Sequence, residues 1–167
     1  MPPEVADALH TTELSTDIFE AEPGEDAETN PRMYGRQPAK WLRDGLLALG
    51  YPAEEVFAED WGWCVMCRRE PYLLFVGCVN LRDHEFAHEG DPPPPKALLL
   101  WNATPFAEVP FFRYAFRRKP DVSAGLTKLD DDLRSLLQNE STVRLVDSAA
   151  SAHWFEGIGR MAANDQR

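Results

Sequence analysis

Two of the three cysteines, Cys64 and Cys67, have the Cys-x-x-Cys spacing of zinc sites and redox-active disulfides. A zinc site needs four converging ligands, and a thioredoxin-type motif opens a helix after a strand. Here both cysteines fall inside a stretch with the composition of a strand, in which residues three apart point to opposite faces. We therefore expect buried, inert thiols, with no metal site, no disulfide and no cofactor.

His84 and His88 stand among acidic residues in a polar segment that ends in Pro92–Pro95. Their spacing would align two imidazoles, as a general base or a weak metal site, only if the segment were helical. Four prolines favour an extended conformation instead, so we interpret the segment as a protruding loop. The chain also lacks a nucleophile elbow and phosphate-binding glycine loops. No catalytic residue is predicted, and the chain is expected not to be an enzyme.

The most unusual local sequence is Glu59-Asp60-Trp61-Gly62-Trp63. If it is extended, Trp61 and Trp63 share one face, and Gly62 leaves the opposite face open to close approach. Two interpretations stay open. The indoles cap the sheet beneath Trp41 as part of the core, or they stand exposed beside the two carboxylates. Exposed indoles would form a binding hot spot or one wall of a ligand cup.

Charge is unevenly distributed along the chain. The 167 residues carry a net charge of −11, and residues 1–30 contain nine acids and no Lys or Arg. This balance argues against free nucleic acid as a ligand, because phosphate binding needs a basic surface. It fits a solvated acidic segment or a surface that attracts a cationic protein. The predicted partner-binding residues are Glu20, Glu22, Glu25, Asp26, Glu28, Glu59, Asp60, Trp61 and Trp63.

A second unusual segment, residues 105–120, is both aromatic and basic. If it is extended, Phe112, Tyr114 and Phe116 share one face, with arginines opposite. Aromatic side chains beside arginines resemble a surface for single-stranded nucleic acid, but the net charge opposes that use. We interpret the segment from Phe106 to Phe116 as an aromatic lid over the sheet or as an edge through which a homodimer forms.

Apolar periodicity predicts strands at residues 11–22, 54–59, 61–69, 72–81 and 97–104, and a small closing strand at 142–146. The order is β-α-β-β-β-β-α. It indicates one α+β domain, in which two amphipathic helices pack on one face of an antiparallel sheet of four to six strands. The domain is expected to span residues 11–160, with a flexible N-terminus at 1–10 and a frayed tail at 161–167.

Capping signals set the expected ends of the two helices. Asn30-Pro31 is typical of a helix start, but Pro38 would cost an interior hydrogen bond, so the regular helix is predicted to begin near Gln37. Gly50 is its expected stop. Asp121 or Ser123 is predicted to cap the last helix. That helix has one apolar stripe, formed by Val122, Leu126, Leu129, Leu133, Leu136 and Leu137, and a polar face that carries Lys128, Asp130, Asp131 and Arg134.

No apolar run approaches the roughly 18–20 residues of a membrane span, and residues 1–10 lack the pattern of a signal peptide. The expected location is the cytoplasm, without membrane contact.

The strings NPRMYGR (30–36), AKWL (39–42), LGY (49–51) and EDWGW (59–63) carry a resemblance. Over residues 11–80 the chain resembles a group of small bacterial α+β proteins of unassigned activity. In size, acidity and layout it is similar to immunity proteins of polymorphic-toxin and type VI secretion systems. That resemblance implies a non-enzymatic protein that neutralises a cognate toxin, and an acidic inhibitor suits a basic nuclease. The alternative is a small-molecule-binding or enzymatic α+β domain with a ligand cup between helix and sheet.

Overall fold

The described part of the chain comprises residues 12–80, 91–96 and 99–146 of a computed structural model. The expectations for residues 1–10, for His84 and His88, and for the tail at 161–167 lie outside it. The strands are β1 (Thr12–Ser15), β2 (Phe57–Glu59), β3 (Gly62–Arg68), β4 (Leu73–Asn80), β5 (Trp101–Glu108) and β6 (Arg144–Val146). The helices are α1 (Arg36–Ala48), the one-turn α2 (Phe111–Tyr114) and α3 (Ser123–Asn139), with a 3-10 turn at Glu25–Ala27.

The strands form one open, antiparallel sheet in the order β2-β3-β4-β5-β1-β6. The long helices α1 and α3 contact each other and the same face of the sheet. The core between them contains Trp63, Val65, Val76 and Trp101 from the strands. The predicted α+β class, with helices on an antiparallel sheet, is confirmed.

Helix α1 begins and ends close to its predicted limits. It starts at Arg36, so Pro38 lies in the first turn, where backbone N–H groups have no intrahelical partner and a proline costs little. Asn30 lies in a preceding turn and is not the cap, so this part of the prediction is wrong. At the other end, Gly50 has φ 91°, and its N–H and that of Tyr51 bond to carbonyls of the last turn. This pattern is a Schellman motif, and the predicted stop at Gly50 is confirmed.

Helix α3 shows the predicted apolar stripe. Leu126, Leu129, Leu133 and Leu137 are buried, and the carboxylate of Asp121 accepts a hydrogen bond from the Ser123 N–H at 2.9 Å. This bond lowers the pKa of Asp121. One polar position differs from the prediction. Asp130 is buried rather than exposed, and it forms an ion pair with Arg134 one turn later, at 3.1 Å.

The burial of α3 gives a direct prediction. Leu133 is 1% exposed and packs in the core, so Leu133→Ala is expected to lower the free energy of unfolding by about 2–5 kcal/mol. Urea denaturation followed by circular dichroism measures the change. The exposed Leu47 of α1 provides a matched Leu→Ala control, which should stay close to wild type. Equal losses in the two variants would contradict this packing.

Two predicted strands have different limits in the structure. The first, predicted at residues 11–22, is confined to Thr12–Ser15 within the described chain, because Glu20 and Glu22 after it bond to Gln37 and Arg36 of α1. The strand predicted at 97–104 continues to Glu108 and includes Pro105. Pro105 is opposite Val76 of β4, whereas β1 pairs with β5 only as far as Ala103. Within the described residues Pro105 therefore has a strand on one side only, where a missing N–H is tolerated.

The other predicted strands agree closely with the structure. β3 and β4 form the expected hairpin around Glu70-Pro71, whose peptide bond is cis. The closing strand is confirmed as β6. No helix in the described ranges is long and apolar enough to cross a membrane.

Candidate functional site: two opposite ends of the sheet

The candidate site residues lie at the two ends of β3. Its first residue, Gly62, follows the β2–β3 turn, formed by Asp60 and Trp61, and its last residues precede the β3–β4 turn at Glu70-Pro71. Seven strand residues span about 20 Å. The acidic loop, residues 20–30, lies at the first end, and α2 lies at the second.

The structure joins the two acidic stretches predicted from the sequence. The backbone N–H of Asn30 donates to the carbonyl oxygen of Asp60 at 3.0 Å, so the acidic loop lies against the β2–β3 turn. We call this surface the acidic end; it comprises Glu20, Glu22, Asp26, Glu28, Glu59 and Asp60.

Glu25 is part of the same loop but does not belong to the surface, because it is only 1% exposed. Its carboxylate accepts hydrogen bonds from the N–H groups of Gly35 and Arg36, both at 2.6 Å, and from that of Glu22 at 3.0 Å. Burial raises the pKa of Glu25, and the three N–H groups oppose that rise. Glu25 therefore caps the N-terminus of α1, where a negative charge is stabilised. The sequence carried no direct signal for this, because the cap lies eleven residues before the helix.

Several other acids are also bonded within the chain. Arg36 forms ion pairs with Glu22, at 3.1 Å, and with Glu28. The carboxylate of Asp26 accepts hydrogen bonds from the Arg32 N–H at 2.9 Å and from the Tyr34 hydroxyl at 3.3 Å. The acidic loop is thus a folded structure rather than a solvated tail.

Three carboxylates of the acidic end remain open to solvent. Glu20, Glu59 and Asp60 are exposed, and none of them forms an ion pair within the described ranges. Partial loss of hydration and the neighbouring Asp60 raise the pKa of Glu59. The second of these causes is electrostatic, because two neighbouring carboxylates repel each other when both are charged.

The two indoles of the Trp corner are separated by the sheet. Trp63 is 3% exposed in the core, and the guanidinium of Arg36 lies 4.3 Å from its ring centre. Trp61 is half-buried and covers the opposite face, where a Cβ on Gly77 would lie 2.7 Å from its ring. The predicted shared face is wrong because Trp61 belongs to the two-residue turn, where strand alternation does not apply. The core interpretation holds for Trp63 only.

The cysteines lie on opposite faces, as their spacing predicts. Cys67 and Cys78 belong to the core between sheet and helices, whereas Cys64 is opposite Gly77 on the other face. All three thiols are free and buried, and burial raises the pKa of Cys64 and of Cys67 to about 12. Within the described ranges, no group of three His, Cys, Asp or Glu side chains could hold a metal ion. The absence of zinc stays a prediction.

The aromatic-basic segment is not extended, and it is not a lid. Phe106 lies on β5 and stacks on Phe75 at 5.2 Å between ring centres, but the chain then turns into α2. There Phe111, Phe112 and Phe116 are 70%, 94% and 101% exposed. The predicted shared face fails as well, because the hydroxyl of Tyr114 turns back and donates to the carbonyl of Pro71 at 2.6 Å. Pro110 directly precedes α2, and a proline at a helix start is the sequence signal that could have predicted this helical turn.

At the Trp corner, Trp63 lies in the core and the guanidinium of Arg36 lies over its ring. An open cavity of about 550 Å³ lies elsewhere, where β1 and β6 meet the end of α3. The residues that line it, all but one with polar side chains, are Ser15, Thr16, Asp17, Lys96, Leu99, Ser141, Thr142 and Arg144.

Comparison of the chain with protein-family models, with curated proteins and with solved structures gave no match.

Proposed function

We propose that this chain is a non-enzymatic protein-binding module that holds a cationic protein on its acidic end. The observation that carries the proposal is the Asn30–Asp60 hydrogen bond, which unites two acidic stretches distant in sequence. Glu20, Glu59 and Asp60 then present exposed carboxylates at one end of the sheet, and none of the three forms an ion pair within the described ranges. Such a surface attracts a positive partner and speeds its association.

In this proposal Trp61 provides an apolar contact with the partner, in addition to the attraction between charges. Its ring is half-buried over Gly77, and it follows Asp60 and Glu59 directly in the sequence. A partly buried indole within a charged surface is a typical binding hot spot. The partner suggested by the resemblance is a cognate bacterial toxin, such as a basic nuclease effector of a type VI secretion system.

The kinetics of binding test this proposal. The partner is recovered by pull-down from the native bacterium, and association is then measured at low and at physiological salt. Association should be markedly slower at physiological salt, because the screening length there is only about 8 Å and the partner feels the charge of the acidic end at shorter range. Glu59→Lys with Asp60→Lys should slow association at low salt by about tenfold, with less effect on dissociation. The matched control is Asp131→Lys on α3, an exposed position outside the acidic end, which should have little effect.

Trp61→Ala provides the second arm of the test. If the indole anchors the complex, the substitution should weaken binding by about 2 kcal/mol, mostly through faster dissociation. Salt-independent association, together with full binding by the Glu59/Asp60 double variant, would contradict the proposal.

The alternative function is small-molecule binding or catalysis, and the cavity beside β6 is the observation that favours it. Lys96 and Arg144 line this cavity and form no ion pair within the described ranges. A small metabolite that co-purifies at one equivalent, with no protein partner recovered, would support this alternative and overturn the proposed function.

A further inference from the structure

The largest exposed apolar feature of the described chain is formed by Phe111, Phe112 and Phe116. The rings of Phe112 and Phe116 are almost fully accessible to solvent, and that of Phe111 packs edge-on against Phe112 at 5.6 Å between centres. Single exposed apolar residues are normal, but three highly exposed phenylalanines within six residues are not. A feature of this kind marks a surface that is covered in use.

Basic side chains surround these rings. Arg117, Arg118 and Lys119 are exposed and form no ion pair within the described ranges, whereas Arg113 pairs with Glu70. Of the nearby acids, Asp121 is bonded to the N–H of Ser123, and Glu108 is exposed at the end of β5. We call the group Phe111, Phe112, Phe116, Arg117, Arg118 and Lys119 the aromatic-basic platform.

The platform is held in place by the fold. Tyr114 donates a hydrogen bond to the carbonyl of Pro71, and Arg113 forms an ion pair with Glu70. These two side chains attach the one-turn helix α2 to the β3–β4 turn. With the inward-facing side chain occupied in this way, the phenylalanines are left to project outward. Their exposure is therefore a property of the folded end of the sheet.

We propose that the aromatic-basic platform docks this protein onto an anionic lipid surface. The phenylalanine rings would enter the boundary between headgroups and acyl chains, and the cations would contact lipid phosphates and carboxylates. Aromatic rings and cations on one projecting turn are the two components that reversible attachment to a membrane needs. This departs from the absence of membrane contact expected from the sequence, which rested on the lack of a spanning segment.

The size, shape and charge of the platform favour lipid over a second copy of this chain. Three phenylalanines offer about 450–750 Å² in total, which is below the roughly 800 Å² per partner of a stable protein interface. Two platforms placed face to face would also bring Arg117, Arg118 and Lys119 of both copies together. A lipid surface has neither restriction, because it adapts to a convex shape and carries the opposite charge.

The acidity of the chain does not prevent this docking. The acidic end lies about 20 Å from the platform along β3, whereas charges are screened within about 8 Å at physiological salt. A nearby anionic surface therefore attracts the positive charges of the platform and is only weakly repelled by the acidic end.

Vesicle flotation of the full chain tests the proposal, with phosphatidylcholine vesicles that contain or lack phosphatidylserine. The chain should float with the phosphatidylserine vesicles at physiological salt, where the acidic end is screened from the lipid, and should be released toward about 1 M salt, where screening shortens to about 3 Å. Phe112→Ser with Phe116→Ser should reduce the bound fraction by about tenfold or more. The matched control is Leu49→Ser, since Leu49 is exposed outside the platform and its loss should change nothing.

Charge is tested separately with Arg117→Glu and Arg118→Glu, which should remove the preference for phosphatidylserine. The control is Lys40→Glu on α1, which makes the same change at an exposed position outside the platform. Circular dichroism verifies that each variant is folded.

Failure of the wild-type chain to float with phosphatidylserine vesicles, or equal flotation of the platform variants, would overturn the proposal. Platform-dependent binding to an acidic protein without vesicle binding would also overturn it.

A spin label reports the depth of docking. The three native cysteines are buried, so a nitroxide reagent should label a single introduced cysteine. Ala115→Cys lies on the exposed surface between the phenylalanines, and Ala48→Cys lies at the end of α1. On phosphatidylserine vesicles, label 115 should lose accessibility to a water-soluble relaxation agent, while label 48 should keep it. Equal accessibility at both positions would contradict insertion of the platform.

Discussion

Trp63→Ala is expected to lower the free energy of unfolding by about 3–5 kcal/mol, as for other fully buried large aromatic residues. Trp63 is 3% exposed, packs in the core between β3 and the helices, and carries the guanidinium of Arg36 on its ring. Trp61→Ala, two positions earlier, should cost less, because its ring lies on the opposite face and is not fully buried. Urea denaturation of both variants measures the difference.

The two tryptophan substitutions also distinguish an effect on folding stability from an effect on partner binding. Trp61→Ala should fold and lose partner affinity, whereas Trp63→Ala should affect affinity only through loss of folded protein. Trp63→Phe serves as a control, since it keeps an aromatic ring in the core and should recover a large part of the lost stability. Similar unfolding free energies for the two alanine variants would show that the indoles are not divided by the sheet.

Glu25→Ala is expected to cost about 3 kcal/mol of folding free energy, although it removes one carboxylate from a strongly acidic segment. The substitution leaves the N–H groups of Glu22, Gly35 and Arg36 without their acceptor, and each unsatisfied buried donor costs about 1–3 kcal/mol unless water reaches it. It also removes a negative charge from the N-terminus of α1.

Glu20→Ala is the matched control for Glu25→Ala. Glu20 is exposed and forms no ion pair in the described part of the chain, so its loss should leave the unfolding midpoint nearly unchanged. Thermal denaturation of the two variants side by side provides the measurement. A Glu25 variant as stable as the Glu20 variant would mean that the cap does not support α1.

Local patterns predicted the regular elements well. The leucine spacing of α3, the stop at Gly50 and the β3–β4 hairpin each depend on residues close in sequence, and each is confirmed. The α+β class follows from the order of these elements. Asp121 bonds to the N–H of Ser123 at the start of α3, but the N-cap is Val122, so the predicted cap at Asp121 or Ser123 is wrong by one residue.

The features that differ depend on contacts distant in sequence or on turn geometry. Glu25 caps a helix that starts eleven residues later, which no capping pattern describes. Trp61 and Trp63 separate because a two-residue turn interrupts the alternation of the strand. The exposure of Phe112 depends on Tyr114 reaching Pro71, a contact across 43 positions that composition cannot reveal.

The opposite placement of the acidic end and the aromatic-basic platform gives the molecule an electric dipole along its strands. A dipolar particle experiences a torque in the field of a charged surface and rotates before it makes contact. Near an anionic bilayer this torque would turn the platform toward the lipid and the carboxylates of Glu59 and Asp60 toward the water. Attachment would therefore leave the acidic end free in the water, so that a chain resting on a membrane would keep that surface open to the proposed partner.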